Sequence, residues 1–228
     1  AQNLIRVPQG CPTVEKAMDL AVIFSERKEY TNNDPLKIRL EEGVHEIVGN
    51  SKVLTVTCSH ITFVGKGKDQ TTIRGGFKVE NQKNVTFEEL TITNPRSTGL
   101  WLRGSETNVD VLKCAVKECG STGMHVRDGA TVTATQCEFL ENGKSGVYCD
   151  GANTKGRLHD CKMHHNGGHG LYAFRDAVVD LHGTKTDTHS NKCCGISAVV
   201  RGKVNIHLPS QHNTSHDNVR GDRGQNNG

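Results

Sequence analysis

Residues 123–127 read Gly-Met-His-Val-Arg, residues 146–150 Gly-Val-Tyr-Cys-Asp and residues 170–174 Gly-Leu-Tyr-Ala-Phe. Each is a glycine followed by strict apolar/polar alternation, the period-2 signature of a strand with one buried face. The same pattern opens at Gly76, Gly99 and Gly195, so the glycines recur at intervals of 23, 24, 23, 24 and 25 residues. A fixed period of this size is the mark of a repeat architecture. The alternation predicts that Phe77, Leu100, Met124, Val147, Leu171 and Ile196 point inward, followed on the same face by Val79, Leu102, Val126, Cys149, Ala173 and Ala198. It points Lys78, Trp101, His125, Tyr148, Tyr172 and Ser197 outward, with Glu80, Arg103, Arg127, Asp150, Phe174 and Val199 in the next outward file.

Ahead of each glycine lie two further short apolar patterns, such as Val109 and Val111 followed by Cys114 and Val116. A polar corner then follows: Asn94, Cys119, Asn142, Asn166 and Asn191 occupy equivalent places. Asn tolerates left-handed backbone and bonds neighbouring amides, and identical side chains stacked one rung apart form a hydrogen-bonded ladder. Three strands in about 24 residues, all of one length, favour coiling in one direction over hairpins. Each strand then pairs with its own copy one coil later, about 4.8 Å away. The expected fold is all-β: a single-stranded parallel β-helix of three-strand coils, treated as one domain over residues 1–228. Val14, Ala17, Met18, Ala21, Val22 and Phe24 keep helical spacing, with Thr13 as a cap, so residues 12–27 are expected to form a capping helix. Residues 36–208 are expected to hold the coils, and 209–228 a fading last coil or flexible tail.

Composition narrows the class. The chain has 228 residues, 34% hydrophobic and only 4% aromatic, with 25 Gly and nine Cys. No apolar run approaches the roughly 20 residues of a membrane helix. Net charge is +3, and twelve protonated His would bring it to +15, so surface charge depends on pH. No concentrated basic face argues for nucleic acid. Cys114, Cys137, Cys149 and Cys161 fall on inward positions, where Cys acts as a small hydrophobe. Reduced core thiols favour a cytosolic setting; secretion stays open through removal of a leader.

The segments TVEKAMDLA (13–21), IRLEEGVHEI (38–47), HITFVGKGKDQTTIRG (60–75) and VTFEELTITN (85–94) resemble the opening of pectin-lyase-like right-handed β-helix proteins. The units CEFLENGKSGVYCDGA (137–152) and CKMHHNGGHGLYAFRDA (161–177) resemble generic parallel β-helix repeats. Such repeats occur in polysaccharide lyases, mannuronan epimerases and eukaryotic F-box and adaptor proteins. The resemblance implies a right-handed fold and leaves activity open. The opening is closest in style to pectin methylesterases, but that family's Gln-Asp-Thr and Asp-Phe-Ile-Phe-Gly segments are missing, which excludes that activity. The Tyr-Gly-Phe-Asp-Pro-His signature of the bacterial mannuronan epimerases is also missing.

The outward strip after the glycines is the candidate site. Trp101, His125, Tyr148, Tyr172 and Phe174 present rings beside Lys78 and Arg103, a composition suited to stacking on sugars and bonding their hydroxyls or carboxylates. For elimination or C5 epimerisation, His125 or Tyr148 would move the proton, Arg127 would neutralise the carboxylate and Asp150 would orient His125. Equivalent Cα atoms on adjacent coils would be about 5–7 Å apart. The blander reading of Arg103, Arg127 and Asp150 is a solvated charge ladder, and of Asp128 and Asp176 an Arg-Asp turn lock with their neighbours Arg127 and Arg175. His159, His182 and His207 fall in one corner file, but no spacing motif supports a metal there. No metal or cofactor is expected. The expected function is carbohydrate binding or modification, as a lyase or epimerase. The alternative is a non-enzymatic interaction scaffold, so the expected partner is a polysaccharide or a protein.

Overall fold

The computed structural model describes residues 3–207 and 214–226. The chain winds as a parallel β-solenoid of three sheets, with nine, eight and eight strands among the described residues, and every pairing is parallel. Each coil visits the first sheet (for example Asn108–Leu112), then the second (Ala115–Lys117), then the third (Met124–Arg127). Registers agree with the repeat spacing: Leu100 pairs with Met124, Met124 with Val147 and Val147 with Leu171. The inward set is fully buried from Phe77 to Leu171, and only Ala198, on the penultimate strand of the third sheet, is partly open. Phe63, Phe77 and Phe87 pack ring on ring inside the early coils at 4.8–5.2 Å.

The repeating glycine and the polar corner turn out to be one constraint. Asn142 Nδ2 donates to Asn166 Oδ1 at 3.0 Å, Asn166 Nδ2 to Asn191 Oδ1 at 2.9 Å, and Asn191 Nδ2 to Asn218 Oδ1 at 2.8 Å. Each of these oxygens also accepts the backbone N–H of the Asn one coil earlier. A Cβ added at Gly123, Gly146 or Gly170 would sit 2.7–2.9 Å from such an amide nitrogen. Only glycine leaves room for the ladder. The backbone of the ladder residues is not left-handed, contrary to expectation. The strain falls one residue earlier, on Glu118, Glu141, His165 and Ser190 (φ 51–56°), and on a second corner file, Glu89, Lys113, Gln136 and Asp160 (φ 51–54°). No Gly or Asn marks either file.

The capping helix runs Val14–Arg27, with Thr13 Oγ1 accepting from Lys16 N at 3.2 Å. Val14, Ala17, Met18 and Ala21 bury its apolar face against the first coil. The coils begin before the expected boundary at 36, because Leu4–Val7 pairs in parallel with Leu36–Leu40 and makes the first rung. They also run beyond 208: Ser215–His216 extends the second sheet and Arg223–Asn226 the third. Residues 208–213 and 227–228 of the expected tail lie outside the described residues.

Candidate functional site

The third sheet builds the strip that the alternation predicts. Lys78 pairs with Trp101, Trp101 with His125, His125 with Tyr148, and Tyr148 with Tyr172. The register therefore holds these side chains one rung apart. His125 and Tyr148 stack with centroids 4.5 Å apart, and Tyr148 and Tyr172 at 5.0 Å. Tyr172 also stacks on His169, from the preceding turn, at 4.8 Å and on Phe174 at 5.7 Å. His169 extends the ladder and was hidden in the sequence, because a turn residue carries no period. Its position follows from the corner Asn166–Gly170, which folds back over the strand.

The charged file beside the rings is internally paired. Glu80 bridges Lys78 at 2.6 Å and Arg103 at 3.3 Å, and those cations hold its carboxyl below the usual range, Lys78 foremost. Asp128 meets Arg127 at 3.1 Å and Arg103 at 3.3 Å. Asp150, 4% exposed, is gripped by Arg175 through two bonds, Nε–Oδ1 at 2.8 Å and NH2–Oδ2 at 2.6 Å. Asp150 therefore orients Arg175 and not His125, because a buried carboxylate needs a fork of donors that an imidazole one rung away does not supply. The expected lock between sequence neighbours holds for Arg127 with Asp128. Elsewhere it crosses coils, as Arg201 grips Asp176 through bonds of 2.8 and 2.9 Å.

Electrostatics fixes the protonation states of the two proton-transfer candidates. Burial, helped by Arg127, lowers His125 to about 4, so the ring is neutral at pH 7. Burial, helped by Asp150, raises Tyr148 to about 12, so its phenol keeps its proton. His125 Nε2 and Trp101 Nε1, on adjacent rungs, are both buried without a hydrogen-bond partner among the described residues. The strip thus carries polar capacity that the protein itself does not use. Turns of three to six residues flank it on both sides (for example 118–123 and 128–130), so the face is shallow.

The His159–His182–His207 file closes strands of the first sheet, with His182 and His207 stacked at 4.4 Å and His207 Nε2 bonded to Asp180 at 2.8 Å. Among the described residues no group of His, Cys, Asp and Glu has the geometry of a metal site. All nine cysteines are free, and burial raises the Cys149 thiol to about 12. No helix among the described residues is long and apolar enough to cross a membrane.

Residues 42–218 match the family described as right handed beta helix region. The chain belongs to that family. No curated protein matches the sequence significantly. Among solved structures, the β-helix is similar to ORF18 of Geobacillus virus E2, at 13% identity and TM-score 0.58 over 86% of this chain and 52% of that one. It is similar to pectin methylesterase PemA from Erwinia chrysanthemi, at 10% identity and TM-score 0.55 over 89% and 80%. It is also similar to pectate lyase Pel9A, at 14% identity and TM-score 0.57 over 82% and 64%. This β-helix spans about half the length of the first of these. At such identities the likeness is one of fold, and it agrees with the right-handed β-helix of the family match.

Proposed function

We propose that this β-helix binds carbohydrate along the ring ladder of the third sheet. The observation that carries the reading is the continuous stack His125–Tyr148–Tyr172, flanked by Trp101 and Phe174. Stacked rings at one-rung spacing form a rigid track that turns ring edges and the phenol groups of Tyr148 and Tyr172 toward a ligand. Lys78, Arg103 and Arg127 beside it present N–H donors for hydroxyls or carboxylates. The similar solved structures that are named for pectin-acting enzymes lend the polysaccharide class some support. Binding is favoured over elimination or epimerisation. Asp150 is consumed by Arg175, and His125 Nε2 is buried without a hydrogen-bond partner among the described residues that could orient it.

A second reading, a partner protein, draws on the shallowness of the face, since flat patches with Tyr and Trp at their centre also suit protein interfaces. A glycan array separates the two. Retention of an acidic or neutral oligosaccharide, lost in Trp101→Ala and Tyr148→Ala, supports the ladder. Wild type that binds nothing, or variants that bind equally well, defeats it.

A further inference from the structure

The turn that lays His169 on the rings is held from the next coil by two adjacent cysteines. The register Leu171–Ile196 sets Tyr172 opposite Ser197 and, counting back, His169 opposite Cys194. His169 Nδ1 accepts the backbone N–H of Cys194 at 3.2 Å, while its ring stacks on Tyr172. The Cys194 sulfur lies over the end of the same outward file: a Cβ added at Gly224, the partner of Ser197, would sit 2.8 Å from it and 3.4 Å from Ser197 Oγ. Cys193 and Cys194 occupy the bend between Asn191 and Ile196, outside any strand. Both are partly exposed, whereas the other seven cysteines are buried.

We propose that Cys193 and Cys194 form a redox site: a low-molecular-weight disulfide such as oxidised glutathione converts them into a vicinal disulfide, and this releases His169 from its hold. The Cys193 thiolate attacks one sulfur of the oxidant, a mixed disulfide forms and one glutathione thiolate leaves. The Cys194 thiolate then attacks Cys193 Sγ, and the second glutathione thiolate leaves. Two protein thiols give up two protons and two electrons, and one oxidant disulfide becomes two thiols. Cys193 attacks first because the Cys194 thiol donates to Arg220 O at 3.8 Å and is raised by burial and by Cys193 beside it.

The coupling to His169 follows from which atoms the new ring contains. Consecutive Cα atoms are about 3.8 Å apart across a trans peptide, closer than the roughly 4.4–6.8 Å of ordinary disulfides. Closure therefore twists the peptide between Cys193 and Cys194, and a strained bridge is one that thiols readily reopen. That peptide carries the N–H that holds His169 and the Cys193 carbonyl that accepts from Arg220 N at 3.3 Å. The outer groups of the pair lie outside the ring: Cys193 N bonds Gly168 O at 2.9 Å, and Cys194 O accepts from Gly170 N at 3.1 Å. The bend stays docked on the coil before it while its central amide turns away from the imidazole.

The test is oxidation of the folded full chain with oxidised glutathione, then alkylation in denaturant, tryptic digestion and mass spectrometry. The tryptic peptide Cys193–Arg201 contains both cysteines and no other. It should return two hydrogens lighter, with neither alkyl group nor glutathione, while the seven buried cysteines are alkylated. Cys194→Ser should stop at a glutathione adduct on Cys193, and Cys193→Ser should react about tenfold more slowly. In spectra of the chain labelled with nitrogen-15 histidine, reduced His169 should carry its hydrogen on Nε2, because Nδ1 accepts from Cys194. Oxidation should shift the His169 Nδ1 resonance, identified by its loss in His169→Gln, and dithiothreitol should restore it; neither serine variant should form the bridge. These readouts hold whether or not the ladder takes a sugar. A lasting glutathione adduct on the wild type, a link between two chains, earlier oxidation of the buried thiols, or a bridge that leaves His169 unshifted overturns the proposal.

Discussion

Replacing Asn166 by Ala removes the centre of the corner ladder. Its Oδ1 accepts from Asn142 N at 3.1 Å and from Asn142 Nδ2 at 3.0 Å; its Nδ2 donates to Phe139 O at 3.0 Å and to Asn191 Oδ1 at 2.9 Å. Truncation leaves the Asn142 N–H and one of its two amide hydrogens buried without an acceptor, while Nδ2 keeps its bond to Val116 O at 3.2 Å. An orphaned buried donor costs about 1–3 kcal/mol, so Asn166→Ala should lower stability by about 4 kcal/mol. The small side chain fits the site, so no steric term adds to this. Urea denaturation followed by far-UV circular dichroism reads the change as a shifted midpoint at constant slope. A loss below about 1 kcal/mol would show that water or neighbouring carbonyls satisfy the corner. The claim that the ladder holds the coils in register would then fail.

Cys119 interrupts the same ladder, and Cys119→Asn should restore a rung and raise stability by about 1 kcal/mol; a lower melting temperature would show that Gly99 leaves too little room. Gln136 is left-handed (φ 54°) and exposed. Gln136→Gly should gain up to about 1 kcal/mol and Gln136→Val should lose about as much; the opposite order refutes the strain. His125, lowered to about 4, should show an NMR midpoint well below 6.5 and none near neutrality. Because the unfolded ring takes its proton first, this site destabilises the fold as pH drops from about 6.5 toward 4, and the effect vanishes in His125→Phe. Arg175→Ala strands the buried Asp150 carboxylate and should cost about 2 kcal/mol. Adding Asp150→Asn should recover part of the loss in a double-mutant cycle, and strict additivity would refute the pairing.

The winding was legible in the sequence because a stacked repeat writes itself as a period. Gly99 to Gly195 set the register, and Leu100 or Val147 faces inward for the same reason at every rung. The Asn file was legible too, since its members recur in step. What broke the period was not. The rung Leu4–Val7 is set apart from its copy Leu36–Leu40 by the capping helix, so the interval between them departs from the repeat. The left-handed corners mix Asp, His and Ser with Glu, Lys and Gln, so neither file repeats one turn signal; packing of the neighbouring coils overrides local preference.

At the site the division is the same. The sequence alone determined which side chains share a file, because register on a parallel sheet follows from spacing. Only the tertiary structure decided which of them are available. Asp150 is committed to Arg175 by a turn that swings back over the preceding coil, and His169 joins the rings from another turn. Lys68 crosses three coils to meet Glu138. Such contacts depend on where short turns point their side chains, and that direction is set by packing against neighbouring coils, which no local pattern encodes.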